Sequence, residues 1–273
     1  MAKKYFGTCA LTGEYGQFVK SHLIPRALTR LSRTGEKFIE SGIGERIAMV
    51  SDSWYDLKLV VRQGEDILAD IDDIGIRELR ENHLIWSGWG GHDALQTLLG
   101  IDSNSPLRGL RLQNTKNLRL FFLSLLWRAG ASELRHFRHV ALTSEEIEDL
   151  RKHILNRETG PQEDYPIILH QICDRGAPHN RVPLLEEDVI VIEGEPDRKA
   201  TYVRFYFEGL VARIYLSNRS EFPVNFANFG VNERSTFFIV LHNFEKSRTR
   251  DNLLEMMRDY AGRPGGGAHR NSQ

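Results

Sequence analysis

Two stretches decide the fold of the N-terminal part of this chain, Phe18-Val-Lys-Ser-His22-Leu-Ile-Pro25 and Trp54-Tyr-Asp56-Leu-Lys-Leu-Val-Val-Arg-Gln-Gly-Glu65. The first predicts a short strand that carries one histidine and ends at a proline, which cannot donate a ladder hydrogen bond. The second predicts a strand over residues 55–61 that runs directly into an acidic helix over residues 63–83. A histidine at a strand end and a carboxylate at a helix start are groups suited to metal-assisted hydrolysis.

These residues resemble the core of the HNH endonucleases. That family has a Cys-x-x-Cys knuckle, a strand with the catalytic His, an Asn on the next strand and a metal-binding His on a helix. Here Cys9-Ala-Leu-Thr12 stands at the knuckle and His22-Leu-Ile-Pro25 on the catalytic strand, while Asp56 takes the Asn position and Glu65 that of the final His. The resemblance implies a ββα-metal-like core in the N-terminal part of the chain.

The resemblance also implies which metal the core would bind. Val61 and Gly64 stand where the family has its second pair of Cys, so that only Cys9 remains of the four zinc ligands. We therefore expect no structural zinc, since such a site needs about four thiolate or imidazole ligands. Ser21 replaces the acidic residue that many members carry before the catalytic His. The remaining oxygen ligands suit Mg²⁺ or Mn²⁺.

The activity implied by the resemblance is metal-dependent hydrolysis of phosphodiester bonds in nucleic acid, with DNA as the expected substrate. His22 would act as the general base, because the ordinary pKa of histidine is close to neutrality. Glu65 would hold one divalent ion, with Asp56 as a second ligand and catalytic helper. The side chains expected to bind phosphates are Lys20, Arg26 and Arg62.

A second interpretation is an inactive relative of the nucleases that binds nucleic acid or protein. In that case His22 is an ordinary strand histidine. Glu65 then only complements the positive end of the helix dipole, which favours an acid in the first turn without any metal.

The distribution of charge is more informative than the composition. The chain has 273 residues, 41% hydrophobic and 27% charged, and a formal net charge of −1, as in ordinary globular proteins. Residues 1–46 carry eight Lys and Arg against four Asp and Glu. Residues 47–82 carry four Lys and Arg against nine Asp and Glu. A nuclease needs cations for phosphates and carboxylates for a metal. A pair of solvated helices would show the same pattern.

The cellular environment is predicted from cysteine usage and hydropathy. Two cysteines, Cys9 and Cys173, are too few for a disulfide framework. The longest apolar run, Leu120-Phe-Phe-Leu-Ser-Leu-Leu-Trp127, is shorter than the ~20 residues of a membrane span, and the N-terminus lacks the apolar segment of a signal peptide. We expect a cytoplasmic protein with no membrane partner.

Beyond a glycine-rich boundary, the sequence predicts a second domain. Helices are expected over residues 114–130, 132–139, 143–156 and 165–173, strands over 188–192, 201–207, 210–216 and 236–241, and a covering helix over 248–260. The predicted organisation is α+β: an HNH-like domain over 1–95, a domain with helices and an antiparallel sheet over 110–261, and a disordered tail over 262–273. The second domain could mediate a homo-oligomer, and phage defence is a hypothesis by analogy.

Three smaller features have both a structural and a functional interpretation. Trp86 and Trp89 can close a core or stack on bases. His136 and His139 could bind a metal if they share a helix face. Arg128, at the end of an apolar helix, can bind a buried carboxylate or a phosphate. The structural interpretation is the commoner one for each.

Overall fold

The computed structural model describes residues 4–29, 38–41, 48–50, 53–102, 105–112, 114–176, 179–223, 225–233, 236–247, 250, 251, 254 and 258. Within these ranges the fold is mixed α+β, as predicted, with four α-helices and a six-stranded sheet. The predicted tail, most of the covering helix and the glycine loop between the two N-terminal stretches lie outside the described residues.

The helices are α1 (Arg62–Glu81), α2 (Leu95–Leu99), α3 (Thr115–Ala131) and α4 (Ser144–Asn156). The strands are β1 (Phe6–Thr8), β2 (Tyr15–Gln17), β3 (Ser21–His22), β4 (Phe38–Ser41), β5 (Ala48–Val50), β6 (Tyr55–Asp56), β7 (Leu107–Leu110), β8 (Ile167–Ile172), β9 (His179–Arg181), β10 (Leu184–Ile190), β11 (Arg198–Phe207), β12 (Leu210–Tyr215) and β13 (Phe237–His242).

The N-terminal stretches form two short antiparallel pairs followed by a helix. β1 pairs with β2, and β3 pairs with β6, with His22 opposite Tyr55. The predicted strand over residues 55–61 is wrong beyond Asp56. There the Asp56 carboxylate accepts the Lys58 backbone N–H at 2.8 Å and turns the chain. An isolated bridge at Val61 then leads into α1.

Helix α1 buries one apolar face, as its sequence period predicted. Its buried residues include Leu68, Ile71 and Leu79. Gly75 permits close packing on α3, since a Cβ there would lie 2.4 Å from the Phe121 ring. At the opposite end, a Cβ on Gly64 would lie 2.8 Å from Cys9 Sγ. The knuckle turn is thus held against the start of α1 by apolar packing.

Helices α3 and α4 confirm the predictions for this section. α3 packs against both α1 and α4 and buries the five residues expected to face inward, Leu118, Phe121, Phe122, Leu125 and Leu126. The capping box of α4 is present between Thr143 and Glu146. The predicted helix over residues 132–139 is wrong, because this segment makes only one 3₁₀ turn, Arg135–Phe137.

The large sheet corrects two predictions. Its strand order is β10-β11-β12-β8-β13-β7, and β8 runs parallel to β13, so that the sheet is mixed and not antiparallel. Residues 165–173, predicted as a helix, contain β8. A short apolar run does not distinguish a strand from a buried helix by period, and the β-branched Ile167 and Ile168 favour the strand. The predicted hairpin at Glu208-Gly209 is confirmed, with positive φ at both residues.

Most buried apolar side chains of the described residues belong to one cluster, and a small second cluster contains Ala200, Tyr202 and Tyr215. The larger cluster extends from Cys9 and Leu11, through α1 and α3, to Phe237 and Phe244. The two predicted domains therefore share buried apolar surface. No helix among the described residues is long and apolar enough to cross a membrane.

Candidate active site

His22 lies half-buried on β3, beside an aromatic ring. Its partner in the strand pair is Tyr55 on β6, and the two rings meet edge to face with their centroids 6.1 Å apart. Lys20 places its Nζ 3.9 Å from the centroid of the same Tyr55 ring. The strand pair thus brings an imidazole, a phenol ring and an ammonium group together on one side.

Glu65 lies in the first turn of α1. Its few polar contacts do not fully offset the burial of its carboxylate. Its Oε2 is buried and has no hydrogen-bond partner among the described residues. Burial raises the pKa of Glu65, while the Ser21 hydroxyl and the Arg128 charge act to lower it. Ser21 Oγ lies near the carboxylate, although neither Ser21 Oγ nor Glu65 Oε2 forms a hydrogen bond of normal geometry within the described chain. A cation at Glu65 Oε2 would supply the compensation that is missing.

Asp72 and Arg128 complete the surroundings of His22, and the sequence did not indicate that they belong there. Arg128 holds Asp72 with both ends of its guanidinium, Nη1 at 2.9 Å from Oδ2 and Nη2 against Oδ1. The same Nη1 donates to the His22 carbonyl at 3.1 Å. Burial raises the pKa of Asp72, and Arg128 and, more weakly, His22 lower it. The expectation that Arg128 binds a buried carboxylate is confirmed.

The signal that could have indicated Asp72 is its spacing from Glu65. Asp72 follows Glu65 by seven residues in α1, so both lie on the same face of the helix. That face meets two consecutive residues of β3, since Glu65 lies near Ser21 and Asp72 near His22. The partner Arg128 comes from α3, far along the chain, and no local pattern indicates that contact.

Asp56 is buried and tied to structural partners. One carboxylate oxygen accepts the Lys58 N–H at 2.8 Å, and the other accepts the Ser132 hydroxyl at 2.7 Å. Ser132 ends α3, so Asp56 links the β6 turn to that helix. These contacts orient the carboxylate and occupy part of its capacity to bind a metal.

The three predicted phosphate-binding side chains are differently placed. Lys20 lies over Tyr55, next to His22. Arg62 begins α1, is 73% exposed, and its charge lowers the pKa of Glu65. Arg26 is exposed in the 3₁₀ turn after Pro25. Lys20 and Arg62 thus border the site, whereas Arg26 lies on the segment that leaves it.

The residues present fit a weakly held divalent ion. In the part of the chain that the structure describes, no three His, Cys, Asp or Glu side chains form a ready metal cluster. Mg²⁺ is commonly bound through one or two carboxylates, with water and substrate phosphate as the other ligands. Glu65, with its buried unsatisfied oxygen, could supply such a carboxylate. At the knuckle, Cys9 Sγ instead accepts the Thr12 N–H at 3.4 Å.

The other predicted functional features have structural roles. Trp86 and Trp89 are buried, and Trp89 donates its Nε1–H to the His83 carbonyl at 2.9 Å, so the base-stacking interpretation is wrong for this pair. His136 lies in the 3₁₀ turn and His139 follows it, where Arg138 donates to His139 Nε2 at 3.2 Å. The two histidines do not share an α-helix face.

Comparison with models of protein families, with curated proteins and with solved structures found no match to this chain. Function is therefore inferred from the geometry of the site and from the resemblance of its residues.

Proposed function

We propose that this chain is a metal-dependent endonuclease of the HNH type that hydrolyses phosphodiester bonds of DNA. The observation that carries the proposal is Glu65, a glutamate at a helix start with a buried oxygen that lacks a partner among the described residues. A buried polar atom without a partner is costly and is common at functional sites. The helix that carries Glu65 lies against the strand that carries His22.

The order of the elements supports the same proposal. Two short antiparallel strands, β3 and β6, are followed directly by α1. The histidine lies on the first strand, and the carboxylate lies in the first turn of the helix. This is the arrangement expected of a ββα-metal core, with packing of Cys9 on Gly64 where relatives have zinc ligands.

In the proposed reaction, His22 accepts a proton from the attacking water. A general base of this kind contributes about 10²–10⁴-fold to a rate. Arg128 holds the His22 backbone through the carbonyl oxygen and is itself fixed on Asp72. We assign Arg128 and Asp72 as positioning residues, because they act through the strand that carries the base.

Glu65 is the proposed metal ligand, and Asp56 remains a second one. When bound, a divalent ion stabilises the negative charge that develops on the leaving oxygen and the phosphate. Lys20 and Arg62 border the site and would bind the phosphates on either side of the scissile bond. Contacts of this kind are sensitive to salt and largely indifferent to base sequence.

The inactive relative remains the second candidate, and one observation favours it. Among the described residues no three potential metal ligands lie together, whereas an active enzyme must hold an ion. In this alternative the surface around His22 only binds nucleic acid or protein.

Cleavage of supercoiled plasmid tests the proposal. The wild type is compared with His22→Ala and Glu65→Gln in Mn²⁺, Mg²⁺ or EDTA, with Glu81→Gln as the control, since Glu81 is exposed at the far end of the same helix. We expect nicking that requires metal, falls at least about a hundredfold in both site variants, and persists in the control.

Two results would contradict the proposal. Equal nicking by all four proteins would indicate a contaminating nuclease. A lack of nicking by the wild type in either metal, with no rise of the melting temperature in Mn²⁺, would instead favour the inactive relative, because a ligand that binds only the folded state must stabilise it.

A further inference from the structure

The N-terminal hairpin exposes aromatic rings that its own packing does not use. Side chains alternate across the β1–β2 pair, so Gly7 and Gly16 face inward while Phe6 and Tyr15 face solvent. A Cβ on Gly7 would lie 2.6 Å from the Phe18 ring, which shows how closely the inner face packs. Phe6 is 59% exposed and Tyr15 is 77% exposed.

Two tyrosines each have a lysine over the ring, and one of them, Tyr55, lies beside His22. Lys20 Nζ lies 3.9 Å from the centroid of Tyr55, which is 40% exposed, and Lys58 Nζ lies 5.2 Å from the centroid of Tyr5. We call these four residues the lysine–tyrosine strip. The strip belongs to one continuous backbone layer, because Phe18 N–H binds the Tyr5 carbonyl at 2.9 Å and itself bridges to Val61.

Cations outnumber acids among the exposed charged side chains of the described residues nearest the strip, and Arg62 forms an ion pair with Asp66 just beyond these ranges. The exposed charged side chains of the described residues 4–29 and 53–62 are Lys4, Glu14, Lys20, Arg26, Lys58 and Arg62. Asp56 is buried and hydrogen-bonded. A surface on which exposed rings alternate with cations, with a single exposed acid in those ranges, is complementary to a flexible polyanion that carries flat apolar groups.

We propose that the lysine–tyrosine strip binds an unpaired DNA strand, with a base stacked at Tyr55 and the phosphates on Lys20 and Lys58. This inference rests on the proposed function, because the strip borders His22 and would deliver the adjacent phosphate to it. Stacking selects unpaired strands, since the faces of bases in a duplex are already covered by their neighbours. The substrate would then be single-stranded or locally melted DNA.

Equilibrium binding in EDTA tests the inference without depending on cleavage. Fluorescence anisotropy of the full chain is measured with a labelled DNA strand of about twenty nucleotides, the same strand in duplex form, and the matching RNA strand. The variants are Tyr55→Ala, Tyr55→Phe and Lys58→Gln. Leu57→Ala is the control, because Leu57 is a neighbouring exposed side chain without a ring.

We expect the DNA strand to bind about tenfold more tightly than the duplex. Tyr55→Ala should weaken binding of the single strand about tenfold. Tyr55→Phe and Leu57→Ala should stay within about twofold of the wild type. Lys58→Gln should weaken both DNA forms and reduce the dependence on salt. Equal affinity for strand and duplex, or no effect of Tyr55→Ala, would overturn the inference. Tighter binding of RNA would overturn the assignment to DNA.

The two proposals fail separately. Metal-dependent nicking without a preference for the unpaired strand would support the proposed nuclease and contradict the proposed role of the lysine–tyrosine strip. A preference for the unpaired strand that depends on Tyr55, in a protein that does not cleave in any metal, would support the role of the strip and contradict the proposed nuclease.

Discussion

The starts of helices α1 and α4 use the same residue type in different ways. Each has a glutamate in its first turn, Glu65 in α1 and Glu146 in α4, and in each one oxygen is buried without a hydrogen bond from the described chain. The other oxygen of Glu146 accepts the Thr143 N–H at 2.6 Å and also binds Arg219. Helix α1 has Val61 at its N-cap position, where no side chain caps the helix.

The difference teaches how to separate a structural carboxylate from one available for chemistry. The carboxylate of Glu146 is consumed by a capping box and an ion pair, which together fix the start of α4. Glu65 takes part in no capping box and in no ion pair among the described residues, and burial raises its pKa. A charge that is partly desolvated and not used for folding is a candidate for function.

The largest loss of stability is expected at Arg128, whose partner Asp72 lies seven residues after Glu65 in α1. Arg128→Met should lower the free energy of unfolding by about 3–5 kcal/mol, because it leaves the largely buried Asp72 carboxylate without its cation. Chemical denaturation measures this change. Arg157→Met is the matched control, since Arg157 binds the exposed Asp70 of the same helix and should cost less than about 1 kcal/mol. Equal losses in the two variants would mean that the Arg128–Asp72 pair stabilises the fold no more than an exposed ion pair does.

The next effect tests the structural side of the comparison. Glu146→Ala should lower the free energy of unfolding by about 2–3 kcal/mol, since Thr143 N–H and Arg219 both lose a charged acceptor. Glu146→Gln should cost less, because an amide can still close the capping box. Thermal unfolding measures both, and plasmid cleavage should persist. A Glu146→Ala protein as stable as the wild type would break the comparison.

A smaller effect is expected at Asp56. Asp56→Ala should cost about 1–2 kcal/mol, from the loss of hydrogen bonds to Lys58 N–H and Ser132. Asp56→Asn preserves an acceptor and should cost less than about 1 kcal/mol, so that a change of cleavage activity in this variant does not follow from lost stability. A loss of cleavage in stable Asp56→Asn, as large as that in Glu65→Gln, would place Asp56 among the metal ligands.

The smallest effect on stability is expected at Glu65 and has a definite pH dependence. The folded protein holds the Glu65 proton more tightly than the unfolded chain, whose pKa is near 4.5. The free energy of unfolding of the protein should therefore fall as the pH rises from about 4.5 through the raised pKa of folded Glu65. Glu65→Gln lacks this decrease and should be as stable as the wild type, or more stable by less than about 1 kcal/mol, at pH 7.

Unfolding measured at several pH values checks this. The difference in stability between the wild type and Glu65→Gln should shrink as the pH falls toward about 4. A variant clearly less stable than the wild type at pH 7 would mean that Glu65 stabilises the fold as Glu146 does.

Local patterns predicted the long elements of the fold. The period of α1, the apolar run of α3 and the capping box of α4 each depend on neighbours in sequence, and all three helices are present. Strands β7 and β8 were missed, because pairing of β13 with both depends on contacts between distant segments. Strand pairing of that kind leaves no local period.

The site was predictable to the same extent. The spacing of a motif indicated His22 and Glu65 as candidates, whereas Arg128, which binds the His22 carbonyl, and its partner Asp72 become visible only when α3 packs on α1. Asp56 shows the converse, because its position in the motif indicated a metal ligand, but Ser132 from the end of α3 uses its carboxylate.

The bonds from α3 to the strand of His22 also limit how the site can be moved. Arg128 on α3 binds Asp72 and the His22 carbonyl, and Ser132, which directly follows α3, binds Asp56. Grafting residues 1–95 onto another protein would transfer His22 and Glu65, the proposed base and metal ligand, without the helix that contacts this strand. Residues 1–95 would therefore lose these contacts when separated from α3, and a recombination point between the two halves would divide His22 and Asp56 from the side chains that hold them.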